Sequence, residues 1–198
     1  MIFFVLSLSA GEKHISGAYS EMTKENKKNE RSRAENLALT GLFAAIVCIA
    51  TMIIKIPIPA TQGYIHFGDG FVFLAGIIPG GGFGMLAAGT GSALADLFSG
   101  YVIYAPVTFA VKALCAMTVW LFYRYLGKRV HSPMARFIIG GIVSVLILTV
   151  GYLAFETVIY GTASLIEIPA NLIQGGSGVL ISTLLYPLLK RILKGRYS

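Results

Sequence analysis

Long runs of apolar residues, each closed by a short polar or Gly/Pro-rich break, follow one another from Ala34 almost to the end of the chain. The first extends from Ala34 to Ile56 and stops at Pro57 and Pro59, which cannot continue a helix without losing backbone hydrogen bonds. A loop is expected from there to His66. A short segment, Asp69 to Ile78, ends at Pro79-Gly80-Gly81-Gly82, and a Gly/Ala-rich one follows from Phe83 to about Phe98. Both fall near or below the ~17 residues that a bilayer core demands, so they are expected in the shelter of other helices. Three longer runs, at about 105–123, 137–156 and 168–189, complete an expected all-α bundle of six transmembrane helices.

Composition agrees. Of 198 residues, 56% are hydrophobic and 13% charged, whereas soluble domains hold roughly 45–50% and about 25%. The net charge of +7 does not point to nucleic acid, because 14 of the 16 Lys and Arg lie in three clusters flanking the apolar runs: Lys13 to Arg33, Arg124 to Arg136 and Lys190 to Arg196. The loops 57–68, 99–104 and 157–167 contain none. An even number of spans puts both termini on one face, and the excess of positive charge makes that face cytoplasmic in a multi-pass protein of the cell membrane.

The expected organisation is a polar N-terminal segment at 1–33, a membrane domain at 34–194 and a short cytoplasmic tail at 195–198. MIFFVLSLSAG at the start has no basic stretch before it and is too short to span, so a cleaved signal is not expected. The run beginning at Met22 would serve as a cytoplasmic N-terminus, and the first 21 residues are expected to be dispensable. Cys48 and Cys115 sit inside apolar runs without CxxC or Cys/His spacing and read as packing residues. There is no GxxxxGK[ST], HExxH or GxSxG, so neither catalysis, bound metal nor ATP hydrolysis is expected of this chain.

Against this background the polar residues inside the spans stand out: Asp69, Asp96, Lys112, Glu156, Glu167, Asn171 and Gln174. A charge at the bilayer centre costs about 2.5–3.5 kcal/mol on insertion scales, so such residues face the protein interior or a cavity. Helical spacing puts Thr108 beside Lys112, Tyr152 and Tyr160 beside Glu156, and Asn171, Gln174 and Gly178 on one stripe. With Tyr64 and His66 they form a polar cluster in the outer half of the bundle, with Lys112 some two turns deeper. Amides and carboxylates beside tyrosines suit a small heterocycle with ring nitrogens and hydroxyls.

Simpler readings stand alongside. Lys112 and Glu156 are either an ion pair locking two helices or members of a binding site. Asp69 after Gly68 reads first as a helix N-cap, and Asp96 as a partner of nearby backbone or Tyr101. His66 is either packing or a lid, and Tyr64 and Tyr101 read as interfacial aromatics. Small residues recur at helical spacing: Ala87, Gly91 and Ala95 for internal packing, and Ala34, Ala38, Gly41 and Ala45 for packing or for a partner subunit.

The stretches GYIHFGDGFVFLAGIIPGGGFGMLAAGTGSALADLFSGYVIYAPVTFAVKAL (63–114) and IPANLIQGGSGVLIS (168–182) resemble S components of energy-coupling factor (ECF) transporters. The likeness covers roughly 34–194 and is nearest the riboflavin-type branch, which includes proteins assigned to pyridoxine, hydroxymethylpyrimidine and queuosine precursors. It implies a six-helix protein that binds one vitamin-like molecule from outside and docks on a T-component membrane subunit and two ATPases, which use the ATP. It further implies a T-component interface at Ala34, Ala38, Gly41 and Ala45, and a substrate site at His66, Lys112, Tyr152, Glu156, Asn171 and Gln174. Pyridoxine or hydroxymethylpyrimidine fits that site best. A queuosine precursor remains open, and riboflavin needs a wider, stacking site. A stand-alone channel or membrane-embedded enzyme is the competing class, and the missing catalytic motifs weigh against the enzyme.

Overall fold

The computed structural model describes residues 32–58, 61 and 63–192, so nearly all of the expected 1–33 segment, and the 195–198 tail, lie outside the described residues. The chain divides into two compact units, Met1–Ala38 and Leu39–Ser198. In the first, residues 32–38 are helical and mostly exposed. The contacts given below lie within the second.

Six α-helices lie among the described residues. Helix α1 is Ser32–Ile53. It is followed by α2 (Asp69–Ala75), α3 (Gly81–Phe98), α4 (Ala105–Tyr125), α5 (Pro133–Tyr160) and α6 (Glu167–Ile192). By length and apolarity, four helical stretches can cross a bilayer: Ser32–Ile53, Asp69–Phe98, Ala105–Lys128 and Pro133–Arg191, the last holding both α5 and α6. Their outward faces carry large apolar side chains, among them Ile49, Leu86, Leu146, Val150 and Leu184, each more than about half exposed or nearly so. A soluble protein rarely exposes such a belt, and a multi-pass membrane protein requires it.

The segment after α1 differs from the expected loop. Lys55–Ile58 (β1) pairs antiparallel with Gly63–His66 (β2), with Lys55 opposite His66 and Ile56 opposite Ile65, so the fold is a helical bundle capped by one β-hairpin rather than purely all-α. Pro57 stops the helix but is tolerated in a two-stranded ribbon, where it need not donate to the ladder, and Ile56, Ile58, Tyr64 and Ile65 favour extended backbone.

The Pro79–Gly82 break forms the expected reversal. Residues 76–80 widen into one π-type turn holding Pro79, and Gly80 and Gly81 adopt φ of 67° and 50°, a region other residues rarely enter. Helix α5 starts earlier than expected because Ser132 caps it, its hydroxyl accepting from the Ala135 N–H at 3.3 Å, with Pro133 in the first turn. The small-residue row of α3 is internal: Ala87 and Ala95 are fully buried, and a Cβ on Gly91 would meet the Ala44 carbonyl oxygen at 2.4 Å. Val47, Phe73, Leu74, Cys115, Val119, Phe137 and Leu148 fill the centre. Cys48 and Cys115 are free and buried.

Candidate functional site

At the hairpin end of the bundle the buried polar residues form two linked groups. The deeper one joins three helices. The Lys112 ammonium on α4 lies 2.5 Å from Asp69 Oδ1 on α2, and Gln174 Nε2 on α6 donates to Asp69 Oδ2 at 2.9 Å. Gln174 Oε1 accepts from the His66 backbone N–H at 3.1 Å, so both ends of that amide are engaged. Neither Asp69 nor Lys112 has any exposed surface, and Lys112 also lies 5.4 Å from the centre of the Tyr152 ring.

This arrangement corrects two expectations. Asp69 is not a helix cap: Gly68 holds the cap position and no side chain caps α2. The buried ion pair joins Lys112 to Asp69, not to Glu156. The reason is geometric. Entering at the first turn of α2, Asp69 points its carboxylate across the bundle, where burial of an ion demands an opposite charge with good geometry.

The second group lines a small pocket of about 30 Å³, open on one side. Its walls are Asp96 from the end of α3, Tyr104 and Thr108 from the start of α4, Tyr152 and Glu156 from α5, and Glu167, Asn171 and Gln174 from α6. Gly63, Tyr64 and His66 of β2 close one side. Hydrogen bonds tie the hairpin segment to these walls: Tyr64 donates to Asp96 Oδ1 at 2.6 Å, Tyr104 to the Thr61 carbonyl at 2.8 Å, and the Thr61 hydroxyl to Glu167. Tyr104 also reaches Glu156 Oε1 at 3.3 Å, and Tyr152 donates to Thr108 at 3.1 Å.

Protonation is well defined at the hairpin. Burial, helped by the nearby Lys112 ammonium, pushes the His66 imidazole down to about 3, so the ring is neutral. Its Nδ1 accepts from the Gly68 N–H at 3.1 Å, which leaves the proton on Nε2. Burial, followed by the Asp96 carboxylate, raises Tyr64, and the phenol remains a donor.

Three buried polar atoms of the cavity residues have no hydrogen-bond partner among the described residues: Asp96 Oδ2, Glu156 Oε2 and Asn171 Nδ2. The residues are 3%, 2% and 7% exposed, so water cannot broadly solvate them. Buried polar groups are nearly always satisfied, so three unpaired ones around one cavity call for a partner there, ordered water or another occupant. No group of three His, Cys, Asp or Glu side chains among the described residues is placed to hold a metal ion.

Of the residues singled out from the sequence, His66, Tyr152, Glu156, Asn171 and Gln174 line the cavity, and Lys112 does not. Asp96 and Tyr64, given simpler readings there, belong to the wall and bond each other. Thr108, Glu167 and Tyr104 join them. Thr108 and Glu167 carried a signal in the sequence, as a helical neighbour of Lys112 and as a charge within a span. Tyr104 carried none beyond its place before Ala105-Pro106.

The model of the ECF-type riboflavin transporter S component matches residues 31–191. A protein of Pyrococcus woesei, described as an uncharacterised protein in the gap 3' region, is 34% identical over 148 residues, 74% of this chain and 96% of its own length. A solved structure described as the S component of a bacterial ECF transporter superposes with a TM-score of 0.56 at 26% identity, covering 82% of this chain and 99% of the other.

Proposed function

This chain belongs to the family of ECF-type riboflavin transporter S components, and we propose on that footing that it captures a small vitamin-like heterocycle outside the cell. It passes the molecule inward by docking on a T-component membrane subunit and two ATPases, which use the ATP. The best-fitting substrate is a single-ring compound of the pyridoxine or hydroxymethylpyrimidine type. One observation carries this reading: Glu156 Oε2 and Asn171 Nδ2, an acceptor and a donor of residues that line one polar cavity, have no partner among the described residues. Hydroxyl, amino and ring-nitrogen groups on a small ring satisfy both kinds of atom, whereas a three-ring flavin has broad apolar faces that need a wider stacking site.

The orientation follows the positive charge, with both termini and the 126–132 connection in the cytoplasm and the hairpin outside. The T component docks on the small residues of α1. Ala34 and Ala38 are exposed in the first unit and Gly41 and Ala45 in the second, and a Cβ on Gly41 meets nothing within 4 Å. Bare backbone of this kind permits close helix approach.

Calorimetric titration of the purified chain, with uptake into ATP-loaded liposomes, tests the proposal. The chain alone binds substrate without transporting it, and uptake appears when the T component and ATPases are added. Glu156→Gln and Asn171→Ala each weaken binding by roughly ten- to a hundredfold, since stranding a buried hydrogen-bonding group costs ~1–3 kcal/mol. Unchanged affinity in both variants removes the cavity from the mechanism, and ATP hydrolysis by the isolated chain removes the dependence on partners.

A further inference from the structure

The charges around the cavity do not balance. Asp96, Glu156 and Glu167 all line it, and no Lys or Arg does. The one fully buried Lys or Arg among the described residues, Lys112, is committed to Asp69 at 2.5 Å. Lys55, on the outer strand of the hairpin, donates to Ser99 at 2.8 Å and lies 5.9 Å from the centre of the Tyr64 ring, outside the wall. His66 is neutral. The donors already present are spent on particular acceptors: Tyr64 on one oxygen of Asp96, Thr61 on Glu167, and Tyr104 on Thr61 and one oxygen of Glu156. What is left over is acceptor capacity at Asp96 Oδ2 and Glu156 Oε2, against two donors, Asn171 Nδ2 and the Nε2–H of the neutral His66 ring.

Carboxyl groups sequestered from water in the outer half of a membrane protein either take up a proton or need a counter-charge. An anionic occupant would add repulsion, a neutral one leaves the carboxyls to be neutralised by protons, and a cationic one answers them directly as ions. A metal ion would need ligands drawn together, and the described residues offer no such group. Resting on the substrate-capture reading above, we infer that the ligand is an organic cation: a small flat heterocycle bearing an ammonium or protonated amino group, held by Glu156 with Asp96 across from it, and accepting one hydrogen bond from Asn171. The cation supplies the charge that the protein lacks there.

Matched ligand pairs test this on the purified full chain by calorimetry at pH 7.5. The probes are pyridoxamine against pyridoxine, and 4-amino-5-aminomethyl-2-methylpyrimidine against its 5-hydroxymethyl counterpart. Each pair differs in charge with little change in shape. At least one aminomethyl member binds tenfold or more tightly than its hydroxymethyl partner, and Glu156→Gln, which keeps the acceptor oxygen and removes the charge, brings the ratio towards one. Preference for the hydroxymethyl members overturns the inference without any variant being needed, as does a ratio untouched by Glu156→Gln, Asp96→Asn and Glu167→Gln alike. A thermal-shift panel of neutral, anionic and cationic vitamins separates the two levels. If only a neutral or anionic vitamin stabilises the chain, the charge inference fails and substrate capture stands; if none does, both fail.

Discussion

The Asp69–Lys112 pair gives the sharpest test, because it ties α2 to α4 and lies outside the cavity wall. At 2.5 Å the gross attraction is about 7 kcal/mol at an effective dielectric of about 20. Desolvation of both ions offsets most of that, so the net value of the intact pair is small. Removing one partner is another matter: the survivor is left charged and buried, at a cost of about 3–5 kcal/mol. With about 2–4 °C lost per kcal/mol in a chain of this size, Lys112→Met or Asp69→Leu lowers the melting temperature by about 6–20 °C. The double variant Asp69→Leu/Lys112→Met recovers much of the loss but not all, since Gln174 Nε2 then loses the acceptor it holds at 2.9 Å. Melting followed by circular dichroism in detergent measures each term, and calorimetry on the folded fraction of Lys112→Met shows affinity within about threefold of the parent. Additive single losses in the double variant would refute the pairing. A tenfold drop in affinity with an unchanged melting temperature would instead place Lys112 against the ligand.

Three further outcomes follow from individual positions. Gly41→Leu leaves folding and substrate binding intact, because nothing lies within 4 Å of the added Cβ, yet abolishes uptake in the reconstituted complex, whereas Gly91→Leu, aimed at the Ala44 carbonyl at 2.4 Å, prevents folding. Cysteines at His131 and Ala163, both exposed, label only from the cytoplasm and only from outside respectively; Ser164 is unsuitable because it is 1% exposed and bonded to Thr157. His66 takes up no proton in the folded protein until about pH 3 but does so near its ordinary value of 6.5 when unfolded, so between those limits the unfolded state binds more protons and stability rises with pH. Subtracting the melting curves of His66→Leu from those of the parent between pH 4 and 7 isolates that slope, and a zero difference would mean the ring is solvated.

What the sequence disclosed about the site was membership, and what it withheld was pairing. Insertion cost alone picks out Asp69, Asp96, Lys112, Glu156, Glu167, Asn171 and Gln174, because a charge or amide within a span has nowhere to go but inward. Helical spacing then groups residues along one helix, as it did for Asn171, Gln174 and Gly178, but it says nothing about how far neighbouring helices are rotated or how closely they approach. That approach is set here by Gly178, where a Cβ would lie 2.7 Å from the Asp69 Cβ. At that close approach Gln174 on α6 reaches the same Asp69 carboxylate that Lys112 holds from α4.

The hairpin was hidden for a related reason. Two strands of four residues each carry too little periodicity to register, and Pro57 argued only against helix. Yet the hairpin decides which polar residues become walls, since Tyr64 and His66 bring a phenol and a backbone N–H onto Asp96 and Gln174. Once those partners are consumed, the charge left in the cavity is fixed by subtraction. Lys112 is spent on Asp69, and Glu156 Oε2 is left without a partner among the described residues.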